Sequence, residues 1–391
     1  MNKLKNKAWI VIACAVIVGL VALGVRLYAV THLPIDDDET TYLMASLNYT
    51  NYIRNGEYKM LAWNTTNFEH PSLYKIIYGV ALLPEPPLAK LNQSDFIDNG
   101  PILQSQGVLY GLADRRVSAF FGSLAVLVLA LVNPLAGIFL AINTLGIKYT
   151  SEVYLEALPL MTSLISVLAY SMYYHRATLP DPNKNKMFAW LALSSLTLGI
   201  TAASKYVYCI AGLAIIVHWL ISIARKKLPL QHLFYLVGWG LFSFCLFFAF
   251  DPYLWPHPIT RLLKSVTYHV KFENSAHVAN SDYLWWQPLH WLFNPFVNYK
   301  IQSNSAFLLH LDPLLFALAV LGLPRTFKRS PIFFTWLVVG ILFLIIWNTK
   351  WAQYPLIVLV PYCISAAYGL GSIYDIIRNK LLPHKTSSTS A

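Results

Sequence analysis

A series of apolar stretches, each about as long as a bilayer is thick, decides what this chain can fold into. Crossing a hydrocarbon core of ~30 Å takes roughly 20 apolar residues in a helix. Residues 8–25, 157–174, 187–204, 206–224, 228–250, 330–349 and 351–374 contain no Asp, Glu, Lys or Arg, and 305–324 contains only Asp312. Residues 117–147 add 31 uncharged positions. One helix of that length would run ~46 Å, so Asn133-Pro134 in its middle reads as the turn of a helical hairpin, 116–132 and 135–150. With a first span at 8–30, this predicts an all-α polytopic membrane protein of about ten transmembrane helices. Composition agrees. The chain is 57% hydrophobic and only 12% charged, about half the charge of an ordinary soluble domain, which leaves too little polar surface for a water-soluble globule of 391 residues.

The excess of basic residues has a pattern. With the N-terminus inside, the short inner segments hold Lys3, Lys5, Lys7, Arg176, Lys184, Lys186, Arg225, Lys226, Lys227, Arg325, Lys328, Arg329, Arg378, Lys380 and Lys385, against only Asp181 and Asp375. That is the positive-inside bias. It places both termini in the cytoplasm of a cell-membrane protein and leaves two large outer loops, 31–115 and 251–304. Residues 1–380 read as one membrane domain and 381–391 as a disordered tail. The Lys and Arg form no stripe with stacking aromatics, so nucleic acid is not expected as a partner. The four cysteines, Cys14, Cys209, Cys245 and Cys363, lie in apolar runs without metal or redox spacing and read as small buried hydrophobes.

Chemistry concentrates on the outer side. Asp36-Asp37-Asp38-Glu39 follows the first span. Four adjacent carboxylates repel one another and call for a cation, a metal or a proton. Glu156 lies in a short turn at the same level, with Glu152 as its competitor. Arg115, Arg116, Lys205 and Lys350 emerge there too, against the positive-inside bias. Snorkelling side chains are the bland alternative. A phosphate-binding cluster is the sharper one, since Lys and Arg bind phosphate oxygens through charge-assisted hydrogen bonds. Carboxylates and cations at one membrane face suggest chemistry on a lipid-linked phosphate. A carboxylate takes a proton from an attacking hydroxyl, and the cations stabilise the departing phosphate. A divalent ion, Mg or Mn, held by Asp36, Asp38 and Glu39 with His70 or His269 is a further option.

The order of short motifs resembles the C-type (GT-C) integral-membrane glycosyltransferases, notably the protein O-mannosyltransferases of family 39 and the lipid A aminoarabinose transferases. Asp38-Glu39-Thr40-Thr41-Tyr42 resembles their Asp-Glu-x-x-Tyr signature. Phe68-Glu69-His70-Pro71-Ser72-Leu73 with Lys75 resembles a His/Lys-Pro-Pro-Leu segment. Arg115-Arg116-Val117-Ser118 through Gly122 resembles an Arg-x-x-Ser-x-x-x-Gly helix start. Leu155-Glu156 resembles the second acidic loop, Gly199 through Lys205 a Gly-x-x-x-x-Thr-Lys helix end, and Lys350 through Tyr354-Pro355 a late Lys-x-x-x-Tyr-x-x-Pro motif. Ser72 replaces a second Pro, Glu156 stands where many members have Asp, and Gln353 where a basic residue is common.

The resemblance implies a GT-C fold with surface helices near 40–54 and 71–83. It implies a polyprenyl-phosphate-linked sugar as donor, a hydroxyl on a protein, lipid or glycan as acceptor, and transfer with inversion outside the cytoplasm. It implies Asp38 as base, with Glu39 and Glu156 as further catalytic acids, and His70, Lys75, Arg116, Lys205, Lys350 and Tyr354 as substrate-binding residues. The rival class is a transporter or flippase of lipid-linked sugars, which would place ionisable groups near the bilayer midplane. A non-catalytic scaffold would not need the outer acids and bases.

The charge bias fixes a topology test. In a background with the native cysteines replaced by Ala, Met60→Cys and Ser275→Cys should react with an impermeant maleimide from outside the cell. Pro182→Cys and Lys226→Cys should react only after the membrane is opened. Labelling of position 60 from the cytoplasm alone would reverse the orientation.

Overall fold

The computed structural model describes residues 2–87, 106–295 and 310–381. All regular structure among them is helical, as the hydropathy pattern requires, because a helix satisfies its own backbone hydrogen bonds where lipid offers none. The helices are α1 (Asn2–His32), α2 (Asp37–Arg54), α3 (Leu73–Ala81), α4 (Gln106–Val132), α5 (Pro134–Ile142), α6 (Thr144–Tyr149), α7 (Ala157–Ala177), α8 (Lys184–Ser204), α9 (Ile210–Ala224), α10 (His232–Phe250), α11 (Pro258–Glu273), the single turn α12 (Ala276–Ala279), α13 (Gln287–Phe293), α14 (Asp312–Arg329), α15 (Pro331–Ile346) and α16 (Leu359–Leu381). Residues 382–391, the expected tail, lie outside the described residues.

Seven helical stretches among the described residues are long and apolar enough to cross a membrane: those at α1, α4, α7, α8, α9, α10 and α16. The expected count of ten does not follow from this. The other three expected positions are helical but differ in kind. α15 has only 16 residues, and α14 ends in Arg325, Lys328 and Arg329. The expected span 135–150 is two pieces, α5 and α6, divided at Asn143, whose side chain accepts from Gly146 N at 2.8 Å and caps α6. The turn at Asn133-Pro134 forms as expected. Asn133 Oδ1 accepts from Leu135 N and Ala136 N at 3.1 and 3.2 Å, and Pro134 takes the first helical position, where its missing N–H costs nothing. The expected helices of the first outer loop are α2 and α3. Of the cysteines, Cys363 is buried, but Cys14 and Cys245 face outward from the bundle.

Small residues let the helices approach. α14 lies along α16 at a crossing where a Cβ on Gly322 would sit 1.8 Å from the Ser365 carbonyl oxygen, and one on Gly369 1.9 Å from that of Leu318. Thr326 Oγ1 donates to Ser365 Oγ at 3.1 Å across the same seam. Such small-residue contacts supply the van der Waals closeness that replaces hydrophobic burial between helices in lipid. At one end of this bundle α8 stops, α7 and α9 begin, α15 passes into α16, and α2 starts. Tyr206–Cys209 and Tyr354–Val358, both tight 3-10 turns, lead into α9 and α16 there. The candidate site is assembled from these helix ends.

The crossing makes a sharp contrast with open positions. Gly322→Val and Gly369→Val should each destabilise the detergent-solubilised protein by at least the ~1–3 kcal/mol of ordinary overpacking. Gly24→Val, which has nothing within 4 Å of its added carbon, should stay close to wild type in thermal unfolding. Equal unfolding curves for Gly24→Val and Gly369→Val would refute the packing.

Candidate active site

The acidic cluster does not present four free carboxylates. Asp36 precedes α2, and Asp37, Asp38 and Glu39 occupy its first turn, where the partial positive charge of a helix N-terminus favours anions. Glu39 is buried, 3% exposed, and forms a bidentate pair with Arg115 from α4. Arg115 Nε donates to Glu39 Oε2 at 2.7 Å, and Arg115 Nη2 donates to Oε1. Glu39 also accepts from Asp36 N at 3.0 Å and Val153 N at 2.7 Å. The remaining N–H groups of Arg115 go to the carbonyls of Val30 and Leu33, both at 2.9 Å, and Pro34 at 2.8 Å. Four segments therefore meet at one guanidinium: the end of α1, the start of α2, α4 and the 150–156 loop.

Asp36 is tied down separately. Its carboxylate accepts from Lys148 Nζ at 2.6 Å and Tyr154 Oη at 2.7 Å. Burial raises its pKa, but the Lys148 ammonium and these hydrogen bonds outweigh that and hold it below the usual carboxylate range. Lys148 also reaches both oxygens of the fully buried Glu152, at 2.9 Å; burial pushes the Glu152 carboxyl upward.

Asp38 is placed differently. It is exposed and lines a cavity of about 410 Å³ together with Tyr42, His70, Lys205, His269 and Tyr354. Lys205 ends α8 in an extended conformation, φ −160°, which turns the chain into the next 3-10 turn. Its ammonium pairs with Glu156, the residue before α7. Both are buried, at 2% and 0% exposure. Tyr42 and Tyr354 line the same cavity as Asp38 and Lys205.

The far wall comes from α11 and its neighbours. Tyr268 and Phe272 stack at 6.0 Å, and His277 lies 5.4 Å from Trp351. α11 is docked on the first loop through Ser265 Oγ to Phe68 O at 2.8 Å and His269 Nε2 to Glu69 O at 2.9 Å. The His70 and His269 rings are 5.3 Å apart. Burial first, then Lys205, pushes the His70 imidazole well below the ordinary histidine range, with His269 and Lys75 adding to it; burial and, less, Lys205 lower His269, with the Glu69 carbonyl and carboxylate working the other way. Among the described residues that line this cavity, Lys205 is the one lysine or arginine. A second crevice of about 260 Å³ opens beside it. The two share His70, Lys205, His269 and Tyr354, and Val207, Val266, Val270, Phe343 and Trp347 make the rest of the crevice apolar.

Several expected site residues lie elsewhere. Lys75 is buried and donates to Asn67 O at 2.6 Å and His70 O at 2.9 Å, which braces the loop carrying His70. Burial brings its pKa down to about 8. Lys350 Nζ donates to the carbonyls of Leu344, Ile345 and Trp347 and so closes the C-terminus of α15. Arg116 is exposed on the outer side of α4, while Arg115 faces inward. The signal for this was present: Arg115, Ser118 and Gly122 share one helical face at spacings of three and seven, and Ser118 and Gly122 are buried. Lys148, Tyr154, Tyr268 and Trp351 gave no such signal. No group of three or more His, Cys, Asp or Glu side chains that could hold a metal ion occurs among the described residues.

Two solved structures share this architecture. Both are of ArnT from Cupriavidus metallidurans. One, bound to undecaprenyl phosphate, superposes with a TM-score of 0.55 at 14% identity over 94% of this chain and 60% of ArnT. The other, in the apo state, gives 0.55 and 14% over 97% and 62%. The chain has the fold of ArnT. It spans about three fifths of ArnT's length. No protein-family profile and no curated protein sequence matches it.

The Arg115 junction generates a test. Arg115→Met leaves Glu39 buried without its partner and frees three carbonyls. Removing one member of a buried ion pair costs about 3–5 kcal/mol, so the thermal transition should fall steeply. Arg116→Met, on the exposed face, should leave it unchanged. Similar transitions for the two variants would remove Arg115 from its structural role.

Proposed function

We propose that this protein is an integral-membrane glycosyltransferase that moves a sugar from a polyprenyl-phosphate donor to a hydroxyl acceptor, with inversion, at the face from which α2 emerges. The observation that carries the reading is the pairing of two spaces around one lysine. The polar cavity holds Asp38 and Lys205. The adjoining crevice is apolar and reaches the same Lys205. A lipid-linked phosphate is polar at one end and apolar at the other, and the two spaces match that division. ArnT of the same fold binds undecaprenyl phosphate, which agrees with a tail in the crevice and a phosphate at Lys205.

In this reading Asp38 is the general base. The acceptor hydroxyl attacks the anomeric carbon, and its proton passes to the Asp38 carboxylate. The C–O bond to the acceptor forms as the bond from the anomeric carbon to the phosphate oxygen breaks. The electron pair leaves on the phosphate, where the Lys205 ammonium stabilises the gathering charge. Attack opposite the leaving group inverts the anomeric centre. Glu156 orients Lys205, and Tyr42 and Tyr354 position the reacting groups. Glu39 serves by fixing the first turn of α2 through Arg115, so that Asp38 points at the cavity. The wall from Tyr268 to Trp351 offers ring faces on which a sugar stacks.

The test separates donor binding from proton removal. Asp38→Asn should reduce transfer of labelled sugar from polyprenyl phosphate in membranes by about 10²–10⁴-fold, the usual range for a lost general base. It should leave binding of polyprenyl phosphate to the purified protein nearly intact. Lys205→Met should weaken that binding without any acceptor present, because its contact exists before the transition state. Wild-type lipid-phosphate affinity in Lys205→Met would sink the assignment.

A further inference from the structure

A larger cavity, about 760 Å³, lies at the other end of the bundle. Its position follows from chain direction. α7 and α9 start beside Glu156 and Lys205, and the cavity touches them only toward their C-termini, at 168–174 and 217–225. It is closed on the other side by the turn between α14 and α15, and α15 runs from there to Lys350. The first half of α7 and of α9 separates it from the Glu156 and Lys205 end.

The cavity is divided by polarity. Arg225, Lys227, Lys328 and Arg329 stand on its rim, all exposed. No carboxylate lines it, and none of the ion pairs found among the described residues engages these four cations. The neighbouring acid, Asp375, is taken by Arg325 at 2.9 Å. Deeper in, the walls are apolar, with Val217, Phe334 and Val338 among them. Tyr170 closes the floor, its hydroxyl 2.9 Å from Nδ1 of the buried His218.

Uncompensated cations above an apolar cleft between membrane helices match one kind of molecule: an amphiphile with an anionic head and a hydrocarbon tail. A soluble anion would use the rim and leave the cleft unfilled. A zwitterionic lipid would bring no net negative charge to the four cations. We propose that this cavity holds an anionic phospholipid of the leaflet at this end, its phosphate among Arg225, Lys227, Lys328 and Arg329 and an acyl chain against the apolar walls. The lipid fills the gap between α7 and the α14–α15 turn. It is a structural ligand, distinct from the donor proposed for the Asp38 end.

The test uses the full-length protein, delipidated in a neutral detergent, with dioleoyl phosphatidylglycerol or dioleoyl phosphatidylcholine titrated in and bound lipid counted by native mass spectrometry. Wild type should hold one phosphatidylglycerol and discriminate against phosphatidylcholine. The triple variant Arg225→Gln, Lys328→Gln, Arg329→Gln should weaken phosphatidylglycerol on the order of 100-fold, since each basic residue near a membrane surface contributes roughly a factor of five. Val338→Trp, which fills the cleft and keeps every cation, should weaken it as well. The three cations are exposed, so their loss leaves the helix packing in place. Equal binding of the two lipids, or wild-type affinity in either variant, overturns the proposal. Displacement of the lipid by millimolar inorganic phosphate overturns it too, because the site would then recognise a soluble anion.

Discussion

The pairing of Arg115 with Glu39 is the constraint on which the candidate site depends. A guanidinium and a carboxylate removed from water each carry a desolvation penalty of several kcal/mol, and their mutual attraction offsets it only when every remaining hydrogen-bonding group is satisfied. Here that condition is met. The five N–H donors of Arg115 reach Glu39 and three carbonyls. Glu39 accepts from two backbone amides besides. A planar, permanently charged fork does this in a way lysine could not. The consequence is directional. With Glu39 held inward in the first turn of α2, Asp38 one residue earlier lies on a different face of the helix, some 100° away, and opens toward the cavity.

The same logic recurs at lower strength around the site. Lys148 neutralises Asp36 and serves Glu152, Lys205 answers Glu156, and Lys350 closes three carbonyls at the end of α15. Each lysine satisfies a group that a buried helix end or loop would otherwise strand. Their availability to a substrate differs accordingly. Lys350 and Lys75 are occupied by backbone oxygens, and Lys148 by two carboxylates. Lys205 alone among these four also lines the cavity. Among the described residues lining the cavity it is the one lysine or arginine, and it shares the space with Asp38 and Glu69.

Much of this was legible in the sequence, and the losses have identifiable causes. The apolar runs gave the helices because hydropathy over 20 residues is a strong signal. Asn133-Pro134 gave a turn because proline and an Asx cap act locally. The break at Asn143 was missed because its neighbours are uncharged, so the run read as continuous although the asparagine caps a new helix. Motif order singles out Asp38 and Lys205, and the two line one cavity. Glu39, Lys75, Arg116 and Lys350 were grouped with them because one dimension shows that charges share a membrane level, not which way they point. For Arg115 against Arg116 the helical phase of Ser118 and Gly122 would have decided. For Lys75 and Lys350 nothing local would, since their partners are carbonyls set by the tertiary path of the chain.

The two ends of the bundle treat charge in opposite ways. At the Asp38 end, buried carboxylates and cations pair with one another, as Glu39 does with Arg115 and Glu156 with Lys205. Fixed charges of that sort cost little reorganisation when a reacting group develops charge, which is the electrostatic requirement for catalysis. At the opposite end Arg225, Lys227, Lys328 and Arg329 are exposed and take part in no ion pair among the described residues, and an apolar cleft lies beneath them. Charges left in this state act on what approaches from the membrane surface rather than on one another. A single helix such as α7 or α9 joins the two regimes. Its first turn lies at the candidate active site, and its C-terminal half lines the cavity whose rim carries the four cations.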